Sequence, residues 1–408
     1  MKNLIFCTAI LLLVSCGGGQ KKAAAQTQGE RVIPEFDLSE PSRAAIGEKL
    51  TWNDLAKNIR VIPLETNDAS LLAHTRLMAV TDNYYVLHSM PPPQETNGIA
   101  IYTVRRDNSE TNVFVFGRDG DFVLHMNRYG RGGSTAMEYL TVSSASLTED
   151  PFTLKIADAA LKIRLSYDKT GKGVAFDSIP NWRGNINMVD DDHFISIYSH
   201  MPTHQRELVV LGSYDKATPH RDLISFSGPI QTIFTERESD IGYATAKHGN
   251  GLLVYLNTSD TVYMVTRDGL EEFARIKRGG YSLDKSIYAV EPNSDRDSRK
   301  RSVIVNRFIP LGDKYFISYE LGDTYYTEIR EAGGKRPLYR KSYDRSTNML
   351  RAKGMSVKLP DGALFPLSYR PYYSDNNKLY FLVNAFDIME YMPEIKEDDN
   401  PVLIEMEF

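Results

Sequence analysis

The residues best suited to chemistry fall in three stretches of the sequence. Tyr129-GRGGSTAMEY places Gly130, Gly132 and Gly133 beside Arg128 and Arg131. Glycines let backbone N–H groups approach an anion and arginines add matching charge, so this loop has the makings of a phosphate or sulfate cradle. It lacks the Gly-Lys-Ser/Thr of a Walker loop, and a glycine-rich connection between sheets is the plainer account. His200 and His204 flank Met201-Pro202-Thr203, with His193 upstream. A metal needs imidazoles and a carboxylate converging on one point, and Pro202 opposes a helix that would align the two histidines; no metal ligand is assigned. Tyr369-RPYYSDNNKLY concentrates aromatics around Arg370, Tyr372 and Tyr373. Exposed Tyr and Arg anchor sugars or protein partners through large apolar area and directional hydrogen bonds; the alternative is that these rings pack inside the fold.

Catalytic signatures are otherwise missing from the sequence. There is no Gly-x-Ser-x-Gly elbow, and paired carboxylates for glycosidic work are defined by distance in space, not along the chain. The run Arg296-DSRKR reads as a solvated loop. The net charge of −5 disfavours a nucleic-acid binder. Two cysteines exclude a disulfide scaffold and a cysteine-built zinc site.

Both cysteines lie in the first 16 residues, MKNLIFCTAILLLVSC. Leu4 to Val14 is an apolar run too short to span a bilayer, which needs about 20 residues, but suited to a signal peptide. Leu13-Val14-Ser15-Cys16 matches the lipobox of bacterial lipoproteins, so residues 1–15 are expected to be removed and Cys16 to carry the lipid, palmitate included. Residues 16–30 contain no large apolar side chain and should form a flexible tether. Gly17, where lipoproteins of the inner membrane often carry Asp, favours the outer membrane. Gln20-Lys21-Lys22, in place of an acidic cluster, favours its periplasmic side over the cell surface.

Residues 31–408 must then supply whatever positions a site. The 24 Tyr and 17 Phe lean towards strand. Leu50 to Ile59 (LTWNDLAKNI) is the best short helix, with Thr51 or Asn53 as cap. Elsewhere a polar turn followed by a short aromatic or β-branched strand recurs: Asp82-NYYVLHS, Asp150-PFTLKIAD, Asp191-DHFISIYS, Asn250-GLLVYLN, Asp313-KYFISYE and Asn377-KLYFLVN. The mean step is about 59 residues, room for the ~40–50 of a propeller blade with loops. Asp119-Gly120 and Asp268-Gly269 are hairpin turns. Asn58-IRVIPLET near the start and Pro401-VLIEMEF at the end would close a ring by sharing a blade. The expectation is an all-β, six-bladed propeller, with a pair of β-sandwiches or a β-solenoid as the alternative.

The order of these segments resembles the six-bladed β-propeller lipoproteins of Bacteroidetes, whose function is mostly unassigned. The matching stretches are Ile59-RVIPLETNDASLL, Tyr84-YVLHS, Phe116-GRDGDFV, Tyr129-GRGGSTAMEYL, Leu256-NTSDTVYMV, Gly362-ALFPLSYRPYYSDNNKLYF and Asn400-PVLIEMEF. The glycine-rich loop departs from the family's Gly-x-Gly-Pro-Gly-Glu-Tyr: the proline is missing and Ser134 to Met137 intervene. The resemblance implies fold and location, and no reaction. On that fold the expectation is an outer-membrane-anchored binding module for an envelope protein or a glycan, with no nucleic-acid partner. The alternative is a periplasmic carbohydrate-active or calcium-dependent hydrolase working at the propeller axis. Calcium is the one cofactor weighed, with Asp191, Asp192 and Asp313 as its imaginable ligands.

Overall fold

The computed structural model describes residues 32–90, 111–179, 185–197, 207–215, 218–225, 243–257, 259–282, 300–344, 346, 352–369 and 371–408, and the backbone of the short strands Gln94–Thr96 and Ile99–Ile101. Cys16 and its tether, His200, His204, Arg296 and Arg370 lie outside the described residues. Residues 33–408 form one compact unit.

That unit is a six-bladed β-propeller. Blade 1 comprises His74–Val80, Tyr84–Met90, Asn112–Gly117 and Phe122–Met126. Blade 2 comprises Ser144–Glu149, Phe152–Asp158, Ile163–Tyr167 and Gly173–Ser178. Blade 3 is built from Asn185–Met188, His193–Ile197, Glu207–Ser213 and Arg221–Ser225. Tyr243–His248, Gly251–Leu256, Thr261–Thr266 and Gly269–Lys277 make blade 4. Blade 5 follows with Ile304–Leu311, Lys314–Leu321, Thr324–Glu331 and Tyr339–Asp344. In blade 6, Tyr373–Asp375, Lys378–Val383 and Val402–Glu407 are joined by Asn58–Pro63 from the other end of the chain.

The six recurring sequence segments are the second strands of the six blades. A second strand has a strand on each side and a neighbouring blade on each face. It is therefore apolar on both faces, as in the fully buried run Gly251–Leu256, and reads as a continuous hydrophobic stretch. Successive blades share apolar layers: Ile195, Ile197, Val209 and Leu211 of blade 3 pack against Leu252, Val254, Leu256 and Val265 of blade 4. The Asp119-Gly120 turn is a hairpin, with Gly120 at φ +90° where a side chain would be strained.

The ring closes as the sequence suggested. Asn58–Pro63 pairs antiparallel along Val402–Glu407 in an unbroken register from Asn58↔Glu407 to Pro63↔Val402. Buried Asn400 then fixes the chain leaving this strand: its side chain accepts from Leu72 N–H at 2.9 Å and donates to the carbonyls of Glu65 and Ser70 at 2.7 and 2.8 Å. Further along the closing strand Glu405 accepts from the Tyr85 hydroxyl at 2.6 Å and pairs with Arg118 and Lys378, joining blade 6 to blade 1.

Two features lay beyond the sequence reading. Residues 33–57 run outside blades 4 to 6: Glu35–Asp37 adds a parallel strand to blade 4, Ile46 bridges Arg340 of blade 5, and Trp52 packs among Phe316, Phe381 and Phe408. A hairpin, Lys353–Lys358 with Leu364–Ser368, is inserted between blades 5 and 6. The helix expected over 50–59 is a single turn, Trp52–Asp54, which Asp54 caps by accepting from Thr51 N–H at 2.8 Å. It stops because closing the ring requires the chain from Asn58 onward as a strand, and tertiary pairing outweighs a weak local preference.

Candidate functional site

The first strands of the blades surround the axis, and at their ends they enclose a cavity of about 380 Å³. Its wall takes residues from all six: Met78–Val80, Ser144–Leu147, Asn187 and Met188, Thr245–Lys247, Arg307, and Tyr373–Asp375. It runs on into the turns that leave these strands, through Thr81, Asp190, Asp191, Gly249 and Asn376, so it lies towards that end of the propeller. The volume sits in the lower part of the range for small-molecule pockets, about 300–1,000 Å³.

Neighbouring blades are tied at this end. Asn83 N–H of blade 1 donates to Glu149 of blade 2 at 2.8 Å. Asp191 of blade 3 accepts from Thr148 of blade 2 and pairs with its Lys155, both at 3.1 Å. Lys247 of blade 4 donates to the Val189 carbonyl of blade 3 at 2.7 Å. These ties hold the cavity wall in place without occupying it.

The polar groups on the wall divide into two sets. Asp190 is committed to its own turn: it accepts the backbone N–H groups of Asp192 and His193 at 2.8 Å and the His193 ring at 2.9 Å. Burial works against its charge, but these bonds outweigh it and hold the carboxyl below the usual range. Asp191 is likewise engaged. The second set has no such partners. Ser144 Oγ, Ser146 Oγ and Asn187 Nδ2 are buried without a hydrogen bond. Asp375 takes neither a hydrogen bond nor an ion pair from any described residue. Burial raises its pKa, against the opposing pull of Lys247 and Lys378. Lys247 has its pKa lowered by burial, with Asp375, Asp190 and Asp191 pulling the other way. Leaving a buried polar group unpaired costs about 1–3 kcal/mol; the Ser144, Ser146 and Asn187 atoms bear that cost beneath the wall, while the half-buried Asp375 and Lys247 are the charged groups that a cavity occupant can meet.

Of the residues singled out from the sequence, Tyr372 and Tyr373 line this cavity, Tyr372 being 46 % exposed and Tyr373 half-buried. Arg128 and Arg131 do not; both are exposed on the connection from blade 1 to blade 2. There the glycine loop closes on itself. Glu138 accepts Gly132 N–H at 2.8 Å, and a Cβ on Gly130 would fall 1.9 Å from the Glu138 carboxylate. The glycines make room for an internal carboxylate, which takes the space that an anion in this loop would need. Buried Tyr139 anchors the loop by donating to the carbonyls of Thr111 and Met126.

The imagined calcium ligands do not converge. Asp191 is bonded to blade 2, Asp192 is exposed, and Asp313 is 78 % exposed beside Lys314. Among the described residues no group of three His, Cys, Asp or Glu side chains could hold a metal. Sequence reasoning missed Lys247, Asp375, Ser144, Ser146 and Asn187. Each lies on the strand before a recognised repeat, so aligning the six units and reading back across their turns was the available signal.

The propeller has counterparts among solved structures. A putative exported protein of Bacteroides fragilis NCTC 9343 superimposes with a TM-score of 0.57 at 14 % identity, over 92 % of this chain and 99 % of the other. A member of the DUF4221 family from Bacteroides vulgatus ATCC 8482 reaches a TM-score of 0.44 at 10 % identity, over 86 % and 96 % of the two chains. No curated protein matches. Residues 41–407, from the strap through the closing strand, match one family throughout: the chain belongs to the family described as Domain of unknown function (DUF4934).

Proposed function

We propose that this protein is a binding module of the cell envelope, anchored at the outer membrane through lipid on Cys16 and receiving a ligand at the axial cavity. The ligand is a glycan or an exposed group of a protein partner. The observation that carries this reading is the charged pair on the cavity wall: Asp375, which takes no side-chain hydrogen bond or ion pair from any described residue, and Lys247, which keeps two donors beyond its bond to the Val189 carbonyl, both held on a ring of tied blades. Preorganised polar groups in a rigid, concave site are what a specific ligand pocket requires. Binding is favoured over hydrolysis because a glycosidase pair needs two available carboxyls about 5–9.5 Å apart. Asp190 and Asp191, the other carboxylates on the wall, are engaged in turn and inter-blade contacts.

The envelope location is supported by the lipobox-like Leu13-Val14-Ser15-Cys16 and by the exported description of the Bacteroides fragilis protein that shares the fold. No helix among the described residues is long and apolar enough to cross a membrane. Cell fractionation tests the anchor. The Cys16→Ala chain should move from the membrane pellet to the soluble fraction, and sedimentation with membranes regardless would refute lipid anchoring. Thermal shift of the full chain against envelope and glycan fractions tests the site. Stabilisation should appear, and should vanish in Asp375→Asn.

A further inference from the structure

The unpaired groups at the axis also constrain what the ligand is. Lys247 spends one of its three donors on the Val189 carbonyl, leaving two. Asp375 keeps both carboxylate oxygens. The two interact electrostatically but form no ion pair within 4 Å, so a gap separates them within the cavity. An anion entering that gap would face the Asp375 carboxylate, and a cation would face the Lys247 ammonium. Each would meet a like charge in a half-buried setting, where charges are poorly screened.

A hydroxyl escapes this conflict because it both donates and accepts. Of two adjacent hydroxyls, one donates to Asp375 while the other accepts from Lys247. Each bond is charge-assisted and so about twice the strength of a neutral one. Ser144, Ser146 and Asn187 line the same wall, but their Oγ and Nδ2 atoms are enclosed by the protein and not open to a ligand. Tyr372 and Tyr373 supply aromatic surface on the same wall, against which the apolar C–H face of a sugar ring packs. A small zwitterion would satisfy Lys247 and Asp375 but has no apolar ring face to pack against Tyr372 and Tyr373.

Resting on the axial binding reading above, we propose that the ligand is a neutral saccharide. One sugar unit would enter the cavity, with a pair of adjacent hydroxyls bridging Lys247 and Asp375. The rest of a longer glycan would leave past Thr81, Gly249 and Asn376.

Isothermal titration calorimetry on the full chain tests this with a panel of neutral di- and trisaccharides, glycine as a zwitterion, and inorganic phosphate. A neutral saccharide should bind, and Asp375→Asn and Lys247→Met should each weaken it about tenfold or more, the loss of one charge-assisted bond. Tyr372→Ala, which removes aromatic surface from the wall, should weaken it less, and circular dichroism melts should show all three variants folded. Glycine or phosphate binding lost in Asp375→Asn would overturn the saccharide class while leaving the axial site standing. Saccharide binding that survives both charge substitutions would overturn the axial site itself. Binding by no probe would overturn the saccharide proposal.

Discussion

Two carboxylates on blade 6, Glu405 and Asp375, live in opposite circumstances. Glu405 is buried, and burial works against its charge, yet the Tyr85 hydroxyl, Arg118 and Lys378 together hold its pKa below the usual range. Asp375 is half-buried on the innermost strand with no hydrogen-bond or ion-pair partner to its side chain among the described residues, and burial raises its pKa against the pull of Lys247 and Lys378. Glu328 of blade 5 is enclosed by partners in the same way. It is fully buried, bonded by the Tyr319 hydroxyl at 2.9 Å and paired with Arg330 and Arg340. The difference separates two uses of buried charge. Where a carboxylate fastens strands or blades, the fold surrounds it; at the axis the fold leaves it for something that comes and goes.

The largest expected effect breaks the satisfied side of this comparison. Glu328→Ala leaves two buried guanidinium groups without their anion, and breaking a buried pair from one side costs about 3–5 kcal/mol. Urea unfolding should show that loss, and a change under 1 kcal/mol would mean the cluster is not what fastens blade 5. Next comes Asn400→Ala, which removes three side-chain hydrogen bonds at the ring closure. The Glu65 carbonyl keeps the Ser70 hydroxyl at 2.8 Å, but the Ser70 carbonyl and the Leu72 N–H lose their partner, which should cost about 1–3 kcal/mol. If proteolysis of the closing strand were no faster in this variant, the closure would depend on the strand pairing alone.

The smallest effect sharpens the other side. A carboxyl whose folded pKa is raised binds its proton more tightly in the folded state, so stability is lost as pH rises from the unfolded value through the raised one. Asp375→Asn removes that loss. The variant should therefore melt slightly higher than the wild type at pH 7, with the difference fading as pH falls below about 3.8, where both forms of the chain are protonated. A lower melting point at pH 7 would show that Asp375 is structural after all.

The fold was legible for a physical reason, and so was the limit of that reading. Second strands, buried on both faces, announce themselves as FISIY, LLVYL or LYFLV. The closing pair was readable because Val402–Glu407 is buried and apolar over much of its length, and Asn58–Pro63, only partly buried, carries the β-branched Ile59, Val61 and Ile62. First strands were not readable. Asn185–Met188 and Tyr373–Asp375 are short and mix polar with apolar residues, because one of their edges faces the axis. The same cause hid the site. Ser144, Asn187, Lys247 and Asp375 come from four blades and meet only once the ring closes. Tyr372 and Tyr373 stood out merely because aromatics next to a turn invite suspicion. The glycine loop left two readings open because glycines that admit an anion and glycines that admit the chain's own Glu138 look alike in a sequence.

The central claim is that the unpaired axial groups await a ligand, and the most direct measurement is a crystal structure of the chain grown with the tightest-binding saccharide of the panel. The account predicts a sugar ring inside the six first strands, with one hydroxyl within hydrogen-bond distance of the Asp375 carboxylate and its neighbour within reach of Lys247 Nζ. A sugar bound on the outer strands or on the blade 1–2 loop, with the axial cavity holding only solvent, would contradict it.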